Sequence, residues 1–158
     1  IKATASILAG ASAAAVEGRL YTHSMLQAAC QHCPPTTRLD IFVDDVARFP
    51  VQDIGSIIEH HAWFPRRVNV EFVQFTGDHV VKMRVHERGS GETQSCGTGV
   101  VAVAMAAAKH NRDSLPTKWE VNPPGGRLYV EIDAHSNGIL TGPAVIVKEV
   151  DIEEFLER

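Results

Sequence analysis

The sequence predicts an α+β fold, mostly antiparallel strands wrapped around one buried apolar helix. Three observations predict it. From Leu39 onward, short segments alternate apolar and polar residues between Gly, Pro, Asn and Asp turns, the period-two pattern of half-buried strands. One run, Gly97 to His110, interleaves Val100, Val101, Val103 and Met105 with alanines and has no polar face, so it has to be buried all round. A chain of 158 residues can also bury about 70% of its unfolded surface in its own core, without metal or disulfide staples.

Residues 1–38 carry only four charged side chains, Lys2, Glu17, Arg19 and Arg38. The charge-rich remainder sets off a 39–158 lobe from a 1–38 segment of undefined structure. Lys2 followed by Ala3 to Val16 faintly resembles a signal peptide, but Ala and Ser replace the usual Leu, which argues against export. Val16 to Leu26 has a strand's pattern. Cys30-Gln31-His32-Cys33, with His23 nearby, has the spacing of half a zinc site. No second ligand pair follows, so the two thiols are read as free and no metal is assigned.

In the organised part, Leu39 to Val46 reads as a strand and Val51 to Trp63 as a helix with Ile54, Ile57 and Ile58 on one face, ended by Phe64-Pro65. Asn69 to Phe75 is a strand, and the Gly77-Asp78 turn leads into a hairpin partner. There Val81, Met83 and Val85 are the buried face and Lys82, Arg84 and His86 the solvated one. After the apolar helix come strands at Thr117 to Val121, Gly126 to Asp133 and Gly138 to Val150, then a short acidic helix from Asp151 to Glu157.

The charge balance, 15 Lys+Arg against 19 Asp+Glu, contains no basic runs and argues against nucleic-acid or membrane-surface partners. No apolar stretch reaches the ~18–20 residues of a membrane span. Three cysteines cannot all pair, which favours a reducing, cytoplasmic setting.

The informative stretch is Glu87-Arg88-Gly89-Ser90-Gly91-Glu92-Thr93-Gln94-Ser95-Cys96-Gly97-Thr98-Gly99. It sets a carboxylate and a guanidinium at a strand end one loop away from a cysteine that opens a buried helix. The positive end of the helix dipole and the free first-turn N–H groups favour a thiolate there. Gly97 and Gly99 let a ligand approach the backbone, so the N–H groups of Gly97 and Thr98 can hold a carboxylate. A phosphate-binding loop would need Gly-Lys-Ser/Thr, and no lysine follows Gly97. None of the eight histidines lies in a recognisable cysteine-protease signature. A buried, inert thiol is the plain alternative for Cys96. His79 and His86 are read as the exposed face of the hairpin, and Glu92 as a turn cap.

The run from Arg84 to Gly99, with Asn69-Val70-Glu71-Phe72, Pro124-Gly125-Gly126-Arg127-Leu128 and Thr141-Gly142-Pro143-Ala144, resembles the C-terminal half of diaminopimelate epimerase over about Leu39 to Val147. The resemblance implies an isomerase without cofactor, neither pyridoxal phosphate nor metal, that interconverts LL- and meso-diaminopimelate for lysine and peptidoglycan synthesis with two cysteines. It implies that Cys96 is one catalytic cysteine, tuned by Glu87. Gly97 and Thr98 correspond to the donors to the reacting carboxylate, and Asn69, Glu87 and Arg88 to the residues gripping the distal amino-acid end. An arginine fork suits a carboxylate and a carboxylate suits an ammonium.

The match departs in two places. The family's second cysteine motif, Cys-Gly-Asn-Gly-like, is absent, and neither Cys30 nor Cys33 is followed by glycine. Cys33-Pro34-Pro35-Thr36-Thr37-Arg38 stands where Gly-Asn-Pro-His is expected. With Ile1 rather than Met at the start, this suggests a fragment with a disrupted reading frame upstream, whose partner is a missing N-terminal lobe or another copy in a homo-oligomer. A racemase of another amino acid such as histidine, and a non-catalytic lobe that pairs with another chain, are the alternative readings.

Overall fold

The computed structural model describes the backbone of residues 4–8 and 18–19 and the whole of residues 38–149. Its elements are β1 (Thr4–Leu8), β2 (Gly18–Arg19), β3 (Arg38–Phe42), α1 (Val51–Glu59), β4 (Asn69–Gly77), β5 (Val80–Glu87), β6 (Gly91–Thr93), α2 (Gly97–Asn111), β7 (Thr117–Asn122), β8 (Leu128–Ile132) and β9 (Gly138–Thr141). The described strands form one sheet in the order β2-β1-β3-β4-β5-β7-β8-β9, with β6 paired to the end of β5. Two pairs, β3 with β4 and β5 with β7, are parallel; the others are antiparallel.

The parallel pairs explain where the helices lie. Each needs a crossover, and α1 and α2 are those crossovers. Both crossovers step the same way across the sheet, but β5 and β7 run opposite to β3 and β4. Right-handed connections then require the two helices to sit on opposite faces. They do. Leu39, Ile41, Val70 and Phe72 pack with Val51 of α1 on one face, while Phe42, Val73, Val81, Met83, Val85, Trp119, Val121, Val130 and Ile132 surround α2 on the other. The strands alternate in side-chain direction, so β3 and β4 feed both cores.

The expected apolar helix is present. Val100, Val103, Ala104 and Ala107 are fully shielded, and α2 contacts β3, β4, β7, β8 and β9. Its small alanines let the sheet close around it. Arg112, in a left-handed conformation, ends it with backbone bonds to Ala108 and Lys109.

Several boundaries differ from expectation for identifiable reasons. The β3 strand stops at Phe42 because Asp45 accepts the N–H groups of Ala47 and Arg48, making a turn. Helix α1 ends at Glu59, where His61 bonds to Ile58 and Phe64 to His61 in tighter turns before Pro65. Its buried face is Val51, Gly55 and Glu59, one turn apart each, with Ile54 and Ile58 at its margin; Ile57 is 65% exposed rather than inward. The last strand ends at Thr141 because Pro143 has no N–H for a ladder. His86 is buried, not solvated. Glu92 lies in β6 and is gripped by both Nε and Nη2 of Arg84, at 2.6 and 2.9 Å, rather than capping a turn. The strand pattern at Val16 to Leu26 coincides with described backbone only at β2, and Cys30, Cys33 and the helix expected at Asp151 to Glu157 lie outside the described residues. No helix among the described residues is long and apolar enough to cross a membrane.

Gly55 is where α1 meets the sheet, since a Cβ there would lie 2.4 Å from Cβ of His86. Gly→Ala inside a helix ordinarily stabilises by about 0.4–1 kcal/mol. Here overpacking reverses the sign, and Gly55→Ala is predicted to destabilise by roughly 1–3 kcal/mol in urea unfolding.

Candidate functional site

Cys96 is the N-cap of α2 in extended conformation, φ −127° and ψ 107°, and its side chain makes no capping bond. Its carbonyl accepts the first helical bond, from Val100 at 2.8 Å. The thiol is therefore free to face its neighbours. Sγ lies 3.7 Å from Nη1 of Arg38 and 3.5 Å from Oγ1 of Thr98. Gly97 and Thr98 are exposed in the first turn, whose N–H groups have no partner within a helix.

Beneath that turn lies a polar cluster. Arg38, the first residue of β3, donates from Nη1 to Oε1 of Glu71 at 3.1 Å and from Nη2 to the hydroxyl of Thr98. The parallel register of β3 and β4 puts Asp40 beside Glu71 and Arg38 beside Asn69. Asp40 and Glu71 are completely buried. Among the described residues, neither oxygen of Asp40 has a hydrogen-bond partner, nor does Oε2 of Glu71. Gly99 makes the approach possible, because a Cβ there would stand 2.9 Å from Oε1 of Glu71.

Burial is the largest influence on both acids. It raises the Glu71 carboxyl to about 7 despite the opposing charge and hydrogen bond of Arg38, with Glu87 adding to the rise. Asp40 is raised well above the usual carboxylate range, by burial first and by the charge of Glu71 second. One guanidinium can balance one carboxylate, so the pair holds a proton into the neutral range.

The other expected residues line the neighbouring strand ends. Asn69 accepts the backbone N–H of Arg88 at 2.8 Å, fixing the start of β4 to the end of β5. Glu87 projects to the α2 face like Val85, two residues before it, and its Oε1 accepts the hydroxyl of Thr93 at 2.5 Å. Arg88 is exposed and donates from Nη1 to the carbonyl of Arg66 at 3.1 Å. The loop after β5 is held from the α1 side. Glu59 pairs with Nε2 of His86 at 2.8 Å and accepts from Arg67 and from the N–H of Gly89, at 3.2 and 3.0 Å. Burial opposes the charge on Glu59, but these three hydrogen bonds outweigh it and leave the carboxyl below its ordinary value. Gly89 and Gly91, φ +78° and +81°, supply the left-handed conformations the loop requires.

Cys96, Gly97 and Thr98 are thus assembled with three residues that the sequence reading did not name as site residues, Arg38, Asp40 and Glu71. A signal existed. Asp40 interrupts the apolar run Leu39 to Val43, and a charged residue in the middle of a buried strand is informative. No group of three or more His, Cys, Asp or Glu suited to a metal occurs among the described residues.

The Glu71 shift has a sign. An acid whose folded-state value lies above its unfolded value binds more protons when folded, so its contribution to stability falls as pH rises from the unfolded value to about 7. Glu71→Gln removes that slope. Chemical denaturation at pH 5, 6, 7 and 8 is predicted to show a shallower loss of stability towards pH 8 in Glu71→Gln than in the unsubstituted chain; parallel profiles would contradict the assignment.

The chain is similar to known proteins over most of its length. The family pattern described as diaminopimelate epimerase matches residues 38–147. The diaminopimelate epimerase of Leptospira biflexa is 38% identical over 138 residues, 87% of this chain and 46% of that protein. That of Stutzerimonas stutzeri is 47% identical over 108 residues, 68% of this chain and 38% of that protein. The chain spans less than half the length of these curated relatives. Among solved structures, a phenazine biosynthesis protein of the PhzF family from Enterococcus faecalis superposes with TM-score 0.51 at 11% identity, covering 83% of this chain and 40% of that one, a likeness of fold alone. On the extent of the family match and the identity to these relatives, the chain belongs to the diaminopimelate epimerase family.

Proposed function

We propose that the chain is the catalytic C-terminal-type lobe, residues 39–158, of a diaminopimelate epimerase that works by two thiols without cofactor. The observation that carries this reading is Cys96 at the start of a buried helix, its side chain uncapped and beside a guanidinium. In the proposed reaction the Cys96 thiolate removes the α-proton of the substrate. The Cα–H bond breaks, an S–H bond forms, and the electron pair passes into the adjacent carboxylate. The backbone N–H groups of Gly97 and Thr98 bind that carboxylate as its charge grows, which is the interaction that lowers the barrier. A thiol on the opposite face then delivers a proton to Cα with inversion. In the reverse direction the two groups exchange roles.

Asn69, Glu87 and Arg88 are assigned to the distal amino-acid end, Glu87 for its ammonium and Arg88 for its carboxylate, with Glu87 also adjusting the thiol. Arg88 must then leave the carbonyl of Arg66, a shift of an exposed side chain. A site that satisfies both distal groups rejects analogues lacking them, because its own polar groups would stay unpaired. The reading assigns the product to lysine and peptidoglycan precursor synthesis and the enzyme to the cytoplasm, where Cys96 stays reduced.

Inversion needs groups on both faces of a planar carbanion, and Cys96 is the only cysteine among the described residues. The proposal therefore assigns the second thiol to an N-terminal lobe. The 158-residue chain alone, incubated with LL-diaminopimelate in D₂O, is predicted to exchange the α-proton without inverting the centre. Cys96→Ser should slow that exchange by about 10²–10⁴. Inversion by the lone chain, exchange that survives Cys96→Ser, or a preference for histidine over diaminopimelate would each contradict the reading.

A further inference from the structure

We propose that Arg38 is the positioning residue for Cys96, offering its sulfur a charge-assisted contact through a guanidinium that is shared with, and competed for by, the buried carboxyl of Glu71. The inference rests on the reading of Cys96 as the acid–base group. It extends that reading to a residue at the very start of β3.

The geometry is that of a shared donor. Nη1 of Arg38 stands 3.1 Å from Oε1 of Glu71 and 3.7 Å from Sγ of Cys96, while Nη2 is engaged by the hydroxyl of Thr98. Three anchors on two elements, β4 and the N-cap and first turn of α2, fix a planar fork in one orientation. Its side chain is only 18% exposed, so water screens its charge weakly. The charged groups facing the thiol are Arg38 and Asp40 from β3, Glu71 from β4 and Glu87 from β5; the first turn of α2 contributes no acid. The strand beyond β3, Thr4–Leu8, has no ionisable residue in its sequence. Arg38 is thus the cation that donates to the sulfur.

The unpartnered oxygens beneath it identify the competitor. With both oxygens of Asp40 and Oε2 of Glu71 buried and without a hydrogen-bond partner among the described residues, a proton residing on the pair removes a negative charge from the guanidinium's surroundings. Arg38 then has a charge to give to sulfur. When both carboxyls ionise, Glu71 reclaims it. The thiolate and the acid pair are coupled through one side chain.

The test is alkylation of Cys96 by iodoacetamide, followed by mass spectrometry of the Cys96 peptide so that Cys30 and Cys33 do not contribute. The thiolate alone reacts, so the rate at pH 7 divided by the rate at pH 10 reports the thiolate fraction independently of access. Arg38→Gln is expected to lower that ratio by about tenfold or more, as for removal of an opposite charge within 4–6 Å. Arg38→Lys, which keeps the charge but not the fork, should fall between. Glu71→Gln, which removes the competitor at constant shape, should raise the ratio. Opposite signs for the two glutamine variants support the proposal. Equal slowing at both pH values, or the same sign for both variants, overturns it. Proton exchange in D₂O is measured on the same samples. An unchanged ratio in Arg38→Gln with Cys96-dependent exchange intact rejects the role of Arg38 and leaves the epimerase reading standing, whereas the expected ratios without any exchange retain the coupling and reject that reading.

Discussion

Two carboxyl groups and one guanidinium are shut beneath the first turn of α2, and the site is organised around that imbalance. An isolated ionised carboxylate in an apolar interior is so costly that the group takes up a proton instead. Arg38 can neutralise Glu71 or be shared with Cys96, but it cannot also neutralise Asp40. The cluster is therefore poised by its own composition, and Gly99 keeps it tight by leaving no Cβ between helix and carboxylate.

The scaffold that holds this cluster follows from chain direction. Two parallel strand pairs in one largely antiparallel sheet require two crossovers, and reversal of strand direction between them puts α1 and α2 on opposite faces. The α2 face carries Arg38, Asp40, Glu71, Glu87 and the thiol. The α1 face carries His86 and Glu59, which tie down the loop that follows Glu87, and Arg84, which holds the carbonyl of Val46 in the loop after β3. A single alternation along β5, Val85 inward to one core and His86 to the other, connects the two jobs. The face that carries the thiol cluster and the face that fixes its geometry are the two sides of the same strand.

Much of this was legible in the sequence. The apolar run Gly97 to His110 has one physical solution, a helix enclosed by strands, and the period-two pattern of Val81, Met83 and Val85 gave the orientation of β5. The thiol at the helix start followed from the glycines on either side of Thr98. What escaped depended on partners far along the chain. His86 looked solvated because it alternates with apolar residues, and only Glu59 on α1 makes its burial tolerable. Ile57 looked inward because isoleucine is apolar, yet the small Gly55 and the polar Glu59 occupy that face. Arg38 and Glu71 meet through a parallel register 33 residues apart, which no local pattern encodes. Asp40 alone carried a warning, a charge in the centre of a buried strand.

The central claim, that two acids are buried side by side beneath the helix start with one arginine between them and the thiol, is tested most directly by carbon-detected NMR titration of the Asp40 and Glu71 side-chain carboxyls between pH 4 and pH 9. The account predicts that Glu71 loses its proton near pH 7 and that Asp40 titrates well above the ordinary range for aspartate, with the two curves coupled. Two independent, ordinary carboxylate titrations near pH 4 would mean that the acids are separately solvated, and the shared guanidinium would lose its role.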